Sequence, residues 1–230
     1  MRSEESLPAF LVRFGIGLAV VAVAVQTAAH LGNEFLLDDR VQGLDADVEG
    51  NAFTWASSVA TFTVGLMAAL HAAAFETRRR ELTVLAAIVV WFSLDDVAII
   101  HERAALELGE DVLGLPDYAA VRLWLLIYLP LLLVAGLLLL RISLEASAPA
   151  DRALRIGFAV LVAAIPLEVV GLATRKLADD GTDAPEVLRI ALEEGLELGG
   201  WIMLAAGLTA LLCSALMSTA PPEGRRAALR

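Results

Sequence analysis

The sequence predicts an all-α fold: a polytopic membrane bundle of about six transmembrane helices, with both termini in the cytoplasm. Three observations support this class. First, 58% of the 230 residues are hydrophobic, compared with about 45–50% in soluble domains. Second, these residues form long blocks, and a helix needs about 20 apolar residues to cross a hydrocarbon core of about 30 Å. Third, the loops between the blocks alternate between basic and acidic.

The apolar blocks define the predicted spans in chain order. They cover residues 7–31, 53–75, 82–101, 118–140, 154–174 and 187–217. Lipid offers the backbone no hydrogen-bond partners, so each block is expected to be a helix. A β-barrel would need alternating strands of about 10 residues, and the run 131–140 does not alternate. The first block is longer than the apolar region of a signal peptide. Residues 1–230 are therefore interpreted as one transmembrane domain.

Loop charge predicts the orientation of the spans. The loops after the second and fourth spans and the C-terminal tail are rich in arginine, whereas the other three loops are rich in Asp and Glu. The positive-inside rule places arginine-rich loops and both termini on the cytoplasmic side of a cell membrane. The formal net charge of −11 argues against nucleic acid as a partner, because phosphate binding needs a basic face. The lipid bilayer is the expected partner.

Several ionisable residues lie inside the predicted spans, where each costs about 2.5–3.5 kcal/mol at the bilayer centre. They occur in the third, fifth and sixth spans: Asp95, Asp96, His101, Glu102, Glu168, Glu193 and Glu197. At a rise of about 1.5 Å per residue, Asp95, Asp96 and Glu168 lie about 20 Å from the cytoplasmic side. The acids are therefore predicted to form one layer in the outer half of the membrane, around a cavity open to the outer face.

This acidic layer is the predicted functional site. Asp95, Asp96 and Glu168 are the predicted catalytic acids, because closely spaced carboxylates keep a proton available for general acid catalysis. A divalent metal is the predicted cofactor, since carboxylates and imidazole suit such ions. Its predicted ligands are Asp96, His101, Glu102, Glu168, Glu193 and Glu197. Arg122, near the start of the fourth span, is the predicted charge partner.

Helical spacing constrains the third span. Asp95 and Glu102 are seven residues apart and share a face. Asp96 and His101 point elsewhere, unless the helix loosens near its outer end. The span therefore lacks the Glu-x-x-His pair of di-iron bundles, and the zinc-protease pattern His-Glu-x-x-His is absent as well. In the first span, His30 is either a lone interfacial histidine or a ligand reached through the outer loop.

Three functions are compatible with these residues. The first is a metal-dependent enzyme that acts on a lipid or a membrane-embedded substrate. The second is a cation- or proton-coupled transporter. Transporters are often built from an inverted repeat, which would place the acids of the third and sixth spans at equivalent ends of those helices. Here they lie at opposite ends, which weakens the case for a transporter. The third is a non-catalytic subunit whose buried charges fix helix pairing, or whose acids lie among lipid headgroups. The sequence names neither the substrate nor the metal.

Overall fold

The computed structural model of the chain describes residues 6–46, 50–116, 120, 123–174 and 184–219. All regular structure in these residues is helical, which confirms the predicted all-α class. The helices are α1 (Leu7–Leu37), α2 (Ala52–Ala74), α3 (Arg79–Ala98), α4 (Ile100–Glu107), α5 (Leu123–Glu145), α6 (Ala148–Thr174) and α7 (Ala184–Thr219). A short 3-10 turn, Gln42–Leu44, lies between α1 and α2, and a π-helical turn, Leu108–Val112, follows α4.

The helices have the length and surface of membrane spans. Five of those described, α1, α2, α5, α6 and α7, are long and apolar enough to cross a membrane, and α3 with α4 makes a sixth if that bent pair is one span. Large apolar side chains cover the outside of the bundle, for example Phe14, Leu126 and Leu137, which are 60%, 68% and 60% exposed. Exposing apolar surface to water costs about 25 cal/mol per Å², a cost that lipid tails remove. The chain is therefore a membrane protein.

Helix α7 lies at the centre and packs against α1, α2 and α6. Glycines permit the close approach of α6 and α7. A methyl group on Gly157 would lie 2.9 Å from the carbonyl oxygen of Gly200, and one on Gly200 would lie 2.6 Å from Cγ of Leu161. In lipid, helices associate through this kind of backbone proximity and dense packing, because the hydrophobic effect does not drive them together. The small residues of this crossing thus fix the position of α6 on α7.

The contacts between neighbouring helices show that they run antiparallel. Ser58, early in α2, contacts Asp96, late in α3. Arg189, early in α7, contacts Leu167, late in α6. The C-terminal ends of α1, α3 and α6 therefore lie together with the N-terminal ends of α2, α5 and α7. We call this the acidic end of the bundle, because it carries the acidic loops and the acids of the predicted site.

The predicted third span is interrupted, so its prediction as one helix over 82–101 is wrong at the C-terminal end. Helix α3 ends at Ala98, Ile99 has left-handed backbone angles (φ 55°, ψ 39°), and α4 begins at Ile100 at an angle of 74°. Left-handed geometry is uncommon for a β-branched residue. The break is held on both sides by Asp95. Its carbonyl oxygen accepts the N–H of Ile99 at 2.7 Å, and its side chain accepts the N–H of His101 at 2.8 Å.

The other spans differ from their predicted ranges mainly at their ends. Helix α1 continues past residue 31 to Leu37, and α7 begins at Ala184 rather than at residue 187. Hydropathy predicts the part of a helix that lies in hydrocarbon, whereas the helix itself ends at a residue whose conformation caps the terminal backbone groups. The cap of α1 is Asp38, which has left-handed angles and donates its N–H to the carbonyl oxygen of Asn33. Most of the predicted start of the fourth span, residues 118–122, lies outside the described residues.

Candidate functional site

Asp95 and His101 form a buried carboxylate–imidazole pair at the break between α3 and α4. His101 Nδ1 lies 2.7 Å from Asp95 Oδ2, and the backbone N–H of His101 donates to Asp95 Oδ1 at 2.8 Å. The side chains are 16% (His101) and 6% (Asp95) exposed. Both carboxylate oxygens thus orient the histidine. Because Nδ1 faces Asp95, Nε2 is the ring nitrogen that remains for a substrate proton or a metal ion.

Aromatic side chains from α5 surround this pair. The ring centroid of His101 lies 5.1 Å from that of Trp124 and 5.7 Å from that of Tyr128, both edge to face. The Tyr128 hydroxyl donates to Asp95 and accepts a hydrogen bond from Trp91 Nε1 at 3.1 Å. The His101 end of the polar chain Trp91–Tyr128–Asp95–His101 is therefore bordered by the rings of Trp124 and Tyr128. Such surroundings strengthen hydrogen bonds between the members of the chain.

Asp96 lies on the neighbouring face of α3 and is held by α2. Ser58 Oγ lies 2.7 Å from Asp96 Oδ2, to which it donates, and 3.1 Å from the carbonyl oxygen of Ser93. Ser93 Oγ donates in turn to the carbonyl oxygen of Ser58 at 2.9 Å. Asp96 also lies within electrostatic range of His101 and Asp95. Asp95, Asp96 and His101, three of the four predicted site residues at the break between α3 and α4, thus lie close together.

The acids of the fifth and sixth predicted spans form a second group, between α6 and α7. Glu168 of α6 is a hydrogen-bonding and electrostatic neighbour of Glu193 of α7. Glu197, one turn further along α7, acts electrostatically on Glu193. Arg189 contacts Glu193 and donates to the carbonyl oxygen of Leu167 at 3.1 Å. The side chains of this ion pair are 11% (Arg189) and 7% (Glu193) exposed.

The contacts therefore join the predicted site residues into two groups at the acidic end. Asp95, Asp96 and His101 belong to α3 and α4, and Glu168, Glu193 and Glu197 belong to α6 and α7. Glu102 follows His101 in α4 and is half-buried. Arg122, the predicted charge partner, lies outside the described residues. The convergence of both groups on one cavity, and a metal bound between them, stay predictions.

The sequence reasoning missed several residues of these groups. Arg189 precedes Glu193 by one helical turn, and that spacing is a signal for an ion pair. A methyl group on Gly171 would lie 2.5 Å from Cζ of Arg189, so this glycine leaves space for the guanidinium. Ser58 carries no sequence signal of its own, because its bond to Asp96 depends on the rotation of α2 against α3. Tyr128 carries no sequence signal that separates it from other aromatic residues of the spans.

A third polar group lies where α1 meets the loop to α2. One potential ligand atom from each of His30, Glu34 and Asp45 lies within 4.8 Å of the other two. His30 Nδ1 lies 3.7 Å from Asp45 Oδ1 and accepts the N–H of Ala46 at 3.1 Å. His30 is 1% exposed. It is therefore a buried side chain beside two acids rather than a lone interfacial histidine.

Fold and site together define a helical integral membrane protein with buried acids and histidines at one end of its bundle. Residues 10–212 match the family described as Domain of unknown function (DUF8692). This match covers most of the chain, and the chain belongs to that family. No curated protein and no solved structure matches it.

Proposed function

We propose that this membrane protein carries a proton-binding site at the acidic end of the bundle and uses it in chemistry on a lipid or another membrane-embedded substrate. The observation that carries the proposal is the Asp95–His101 pair, a half-buried imidazole with its Nδ1 2.7 Å from a buried carboxylate. Imidazole exchanges protons near neutral pH. A neighbouring carboxylate that orients it is the arrangement by which enzymes position a general base.

In this proposal His101 acts as the base. Its Nε2 takes a proton from water or from a substrate hydroxyl, while Asp95 holds Nδ1–H and stabilises the imidazolium that forms. The Tyr128 hydroxyl, which donates to Asp95, keeps that carboxylate in place. The rings of Trp124 and Tyr128 provide an apolar wall that suits the hydrocarbon part of a lipid substrate.

A divalent metal is the alternative cation for the same end of the bundle. The proposed ligands are Asp96, His101, Glu102, Glu168, Glu193 and Glu197. Support comes from His101, because histidine ligands usually donate their other ring N–H to a carboxylate, as His101 Nδ1 is placed to do toward Asp95. A metal with ligands from both groups would draw α3 and α4 toward α6 and α7. Elemental analysis of the purified protein tests for such an ion.

A proton-coupled transporter is the second candidate function, and the bent α3–α4 pair favours it. Transporters often place ion sites where a membrane helix is interrupted, because the interruption leaves backbone groups free to bind. Here the interruption at Ile99 coincides with the Asp95–His101 pair. In this reading the pair would gain and lose a proton as the bundle alternates between its two open states.

We also propose that the protein resides in the cell membrane with both termini in the cytoplasm, so that the acidic end faces outward. The support is the alternation of arginine-rich and acidic loops together with a count of six spans when α3 and α4 are one. With α3 beginning at Arg79, Asp95 lies about 24 Å along the helix from the cytoplasmic side. This depth supports a position of the pair in the outer half of the bilayer under the proposed orientation.

Reconstituted protein separates these candidates. Vesicles made from lipids of the source membrane would be assayed for lipid turnover and, with an enclosed pH-sensitive dye, for proton flux. If the protein is an enzyme, Asp95→Asn and His101→Gln should abolish lipid turnover. If it is a transporter, the same substitutions should abolish proton flux. Glu107→Gln, which changes an exposed acid of α4, is the matched control and should retain wild-type activity. If neither activity responds to Asp95→Asn, the proposal is wrong and a non-catalytic subunit is favoured.

A further inference from the structure

We propose that the protein holds a second site, independent of the Asp95–His101 pair, in which His30, Glu34 and Asp45 bind one divalent metal ion. One potential ligand atom of each lies within 4.8 Å of the other two. His30 and Glu34 are one turn apart on α1, so both project from the same face. Asp45 comes from the loop between α1 and α2, which folds back over that face.

The loop is held in place by two asparagines. Asn33 of α1 accepts the N–H of Val41 at 3.0 Å and donates to Asp39 at 2.6 Å. Asn51, the N-cap of α2, donates its side-chain amide to the carbonyl oxygen of Asp45 at 2.7 Å. Asn33 and Asn51 are both buried. Hydrogen bonds from these asparagines therefore position the described part of the loop, and with it the carboxylate of Asp45, over His30.

Buried polar atoms without a hydrogen-bond partner in the described part of the chain lie beside these three residues. His30 Nε2 and both polar atoms of the Gln26 side chain are buried and have no hydrogen-bond partner among the described residues. Each of the two side chains is 1% exposed. Buried polar groups in folded proteins nearly always have a partner, so such orphans call for an explanation. Gln26 precedes His30 by one turn on the same face of α1.

A metal on His30 Nδ1 would take the place of the Ala46 backbone N–H, which this nitrogen accepts at 3.1 Å. Once Nδ1 binds the ion, Nε2 must carry the ring proton, and a ligating histidine normally donates this second N–H to a nearby acceptor. The Gln26 side-chain oxygen, one turn away on the same face of α1, is the proposed acceptor. The NH2 group of the Gln26 side chain then remains to donate to a water molecule. Ion binding would thus give both buried side chains a function.

The donor set indicates the class of metal. One imidazole and two carboxylates suit borderline and hard divalent ions such as Zn²⁺ and Mn²⁺. Ligand atoms at about 2.0–2.2 Å from a tetrahedral ion stand about 3.3–3.6 Å apart. The 3.7 Å between His30 Nδ1 and Asp45 Oδ1 is close to this separation. Glu34 is half-buried, so it can move inward by about 1 Å and leaves an access path for the ion.

The test is titration of the full-length protein, purified in detergent and stripped with a chelator, with Zn²⁺ and separately with Mn²⁺ in a calorimeter. We expect one ion per chain for at least one of these metals. Glu34→Gln and Asp45→Asn each remove a charged ligand and should weaken binding at least 100-fold, and Gln26→Leu should weaken it about tenfold. Glu34→Gln changes a half-buried side chain, so it remains informative if Asp45→Asn fails to fold.

Two controls make the result specific. Asp38→Asn removes an acid from the end of α1 that is 81% exposed and outside the group, and it should bind metal as the wild type does. Asp95→Asn should also bind normally, which separates this site from the proposed proton site. The inference is overturned if the wild type binds neither metal, or if Glu34→Gln and Asp45→Asn bind as tightly as the wild type.

Discussion

At the scale of single residues, the acidic end is governed by the cost of burying charge. Arg189 and Glu193 are both nearly excluded from solvent and contact each other within α7. Arg189 also binds Glu186 through Nε at 2.9 Å and Nη2 at 2.8 Å. Removing one member of a buried ion pair lowers the free energy of unfolding far more than removing one member of an exposed pair, because the remaining charge stays buried without its partner.

Arg189→Leu is therefore expected to destabilise the protein by about 3–5 kcal/mol. Combining it with Glu193→Gln should recover part of that loss, since the uncompensated charge is removed too. Thermal unfolding in detergent, followed by circular dichroism, measures the change. Arg155→Leu is the matched control: Arg155 pairs with Asp151 at the same four-residue spacing but is 51% exposed, so its loss should cost less than about 1 kcal/mol. Equal effects of the two substitutions would contradict this account.

The residues that sequence reasoning found and those it missed differ in a physical way. Asp95, Glu168 and Glu193 stand out because acids are costly in apolar blocks. Ser58 and Tyr128 are ordinary residues in a membrane helix, and only the rotation of α2 and α5 against α3 makes them partners of acids. Sequence reveals depth along a span, whereas the direction in which a side chain points depends on packing between helices.

At the scale of elements, the interruption of α3 is the feature that creates the histidine site. In a continuous helix, residues 95 and 101 would point to different faces. The 74° bend at Ile99 brings them into contact. No glycine or proline marks this break in the sequence, so it could not be predicted from helix-breaking residues. The side chain of Asp95, which accepts the N–H of His101, replaces a backbone acceptor that the break removes.

The backbone at Ile99 gives an element-scale prediction. Left-handed geometry costs a non-glycine residue about 1–2 kcal/mol, so Ile99→Gly should be less destabilising than Ile100→Gly by about this amount. The two isoleucines are adjacent and both half-buried, which makes Ile100→Gly a matched control. Thermal unfolding of both variants provides the comparison. A larger loss for Ile99→Gly would show that this backbone strain is absent.

At the scale of the whole molecule, the fold class and the location of the spans follow from the sequence because hydrocarbon imposes strong constraints. Blocks of about 20 apolar residues have few alternatives to helices in lipid. The arrangement of those helices does not follow in the same way. The central place of α7 depends on glycines such as Gly157 and Gly200, whose role is visible only when the helices that they join are known.

Orientation in the membrane is the whole-molecule prediction. A fluorescent reporter fused after residue 230 should mature in the cytoplasm, and one inserted at Arg79 should do the same, because both positions adjoin arginine-rich segments. An export-dependent reporter inserted near Asp45 should be active on the outside. Residue 230 lies outside the described residues, so this fusion also reports on which side of the membrane the chain ends after α7. An external C-terminus would contradict the six-span topology and place the acidic end on the cytoplasmic side.

The proposed function requires that Asp95 and His101 share the proton on Nδ1, while Nε2 takes up and releases the proton of the substrate. The chain contains three histidines, so NMR of protein labelled with ¹⁵N-histidine can resolve each ring, and His101→Gln assigns the signal. We predict that His101 keeps its proton on Nδ1 throughout a pH titration, with a low-field proton signal that Asp95→Asn abolishes and Glu107→Gln preserves. A neutral His101 protonated on Nε2, with a spectrum unchanged in Asp95→Asn, would contradict the account.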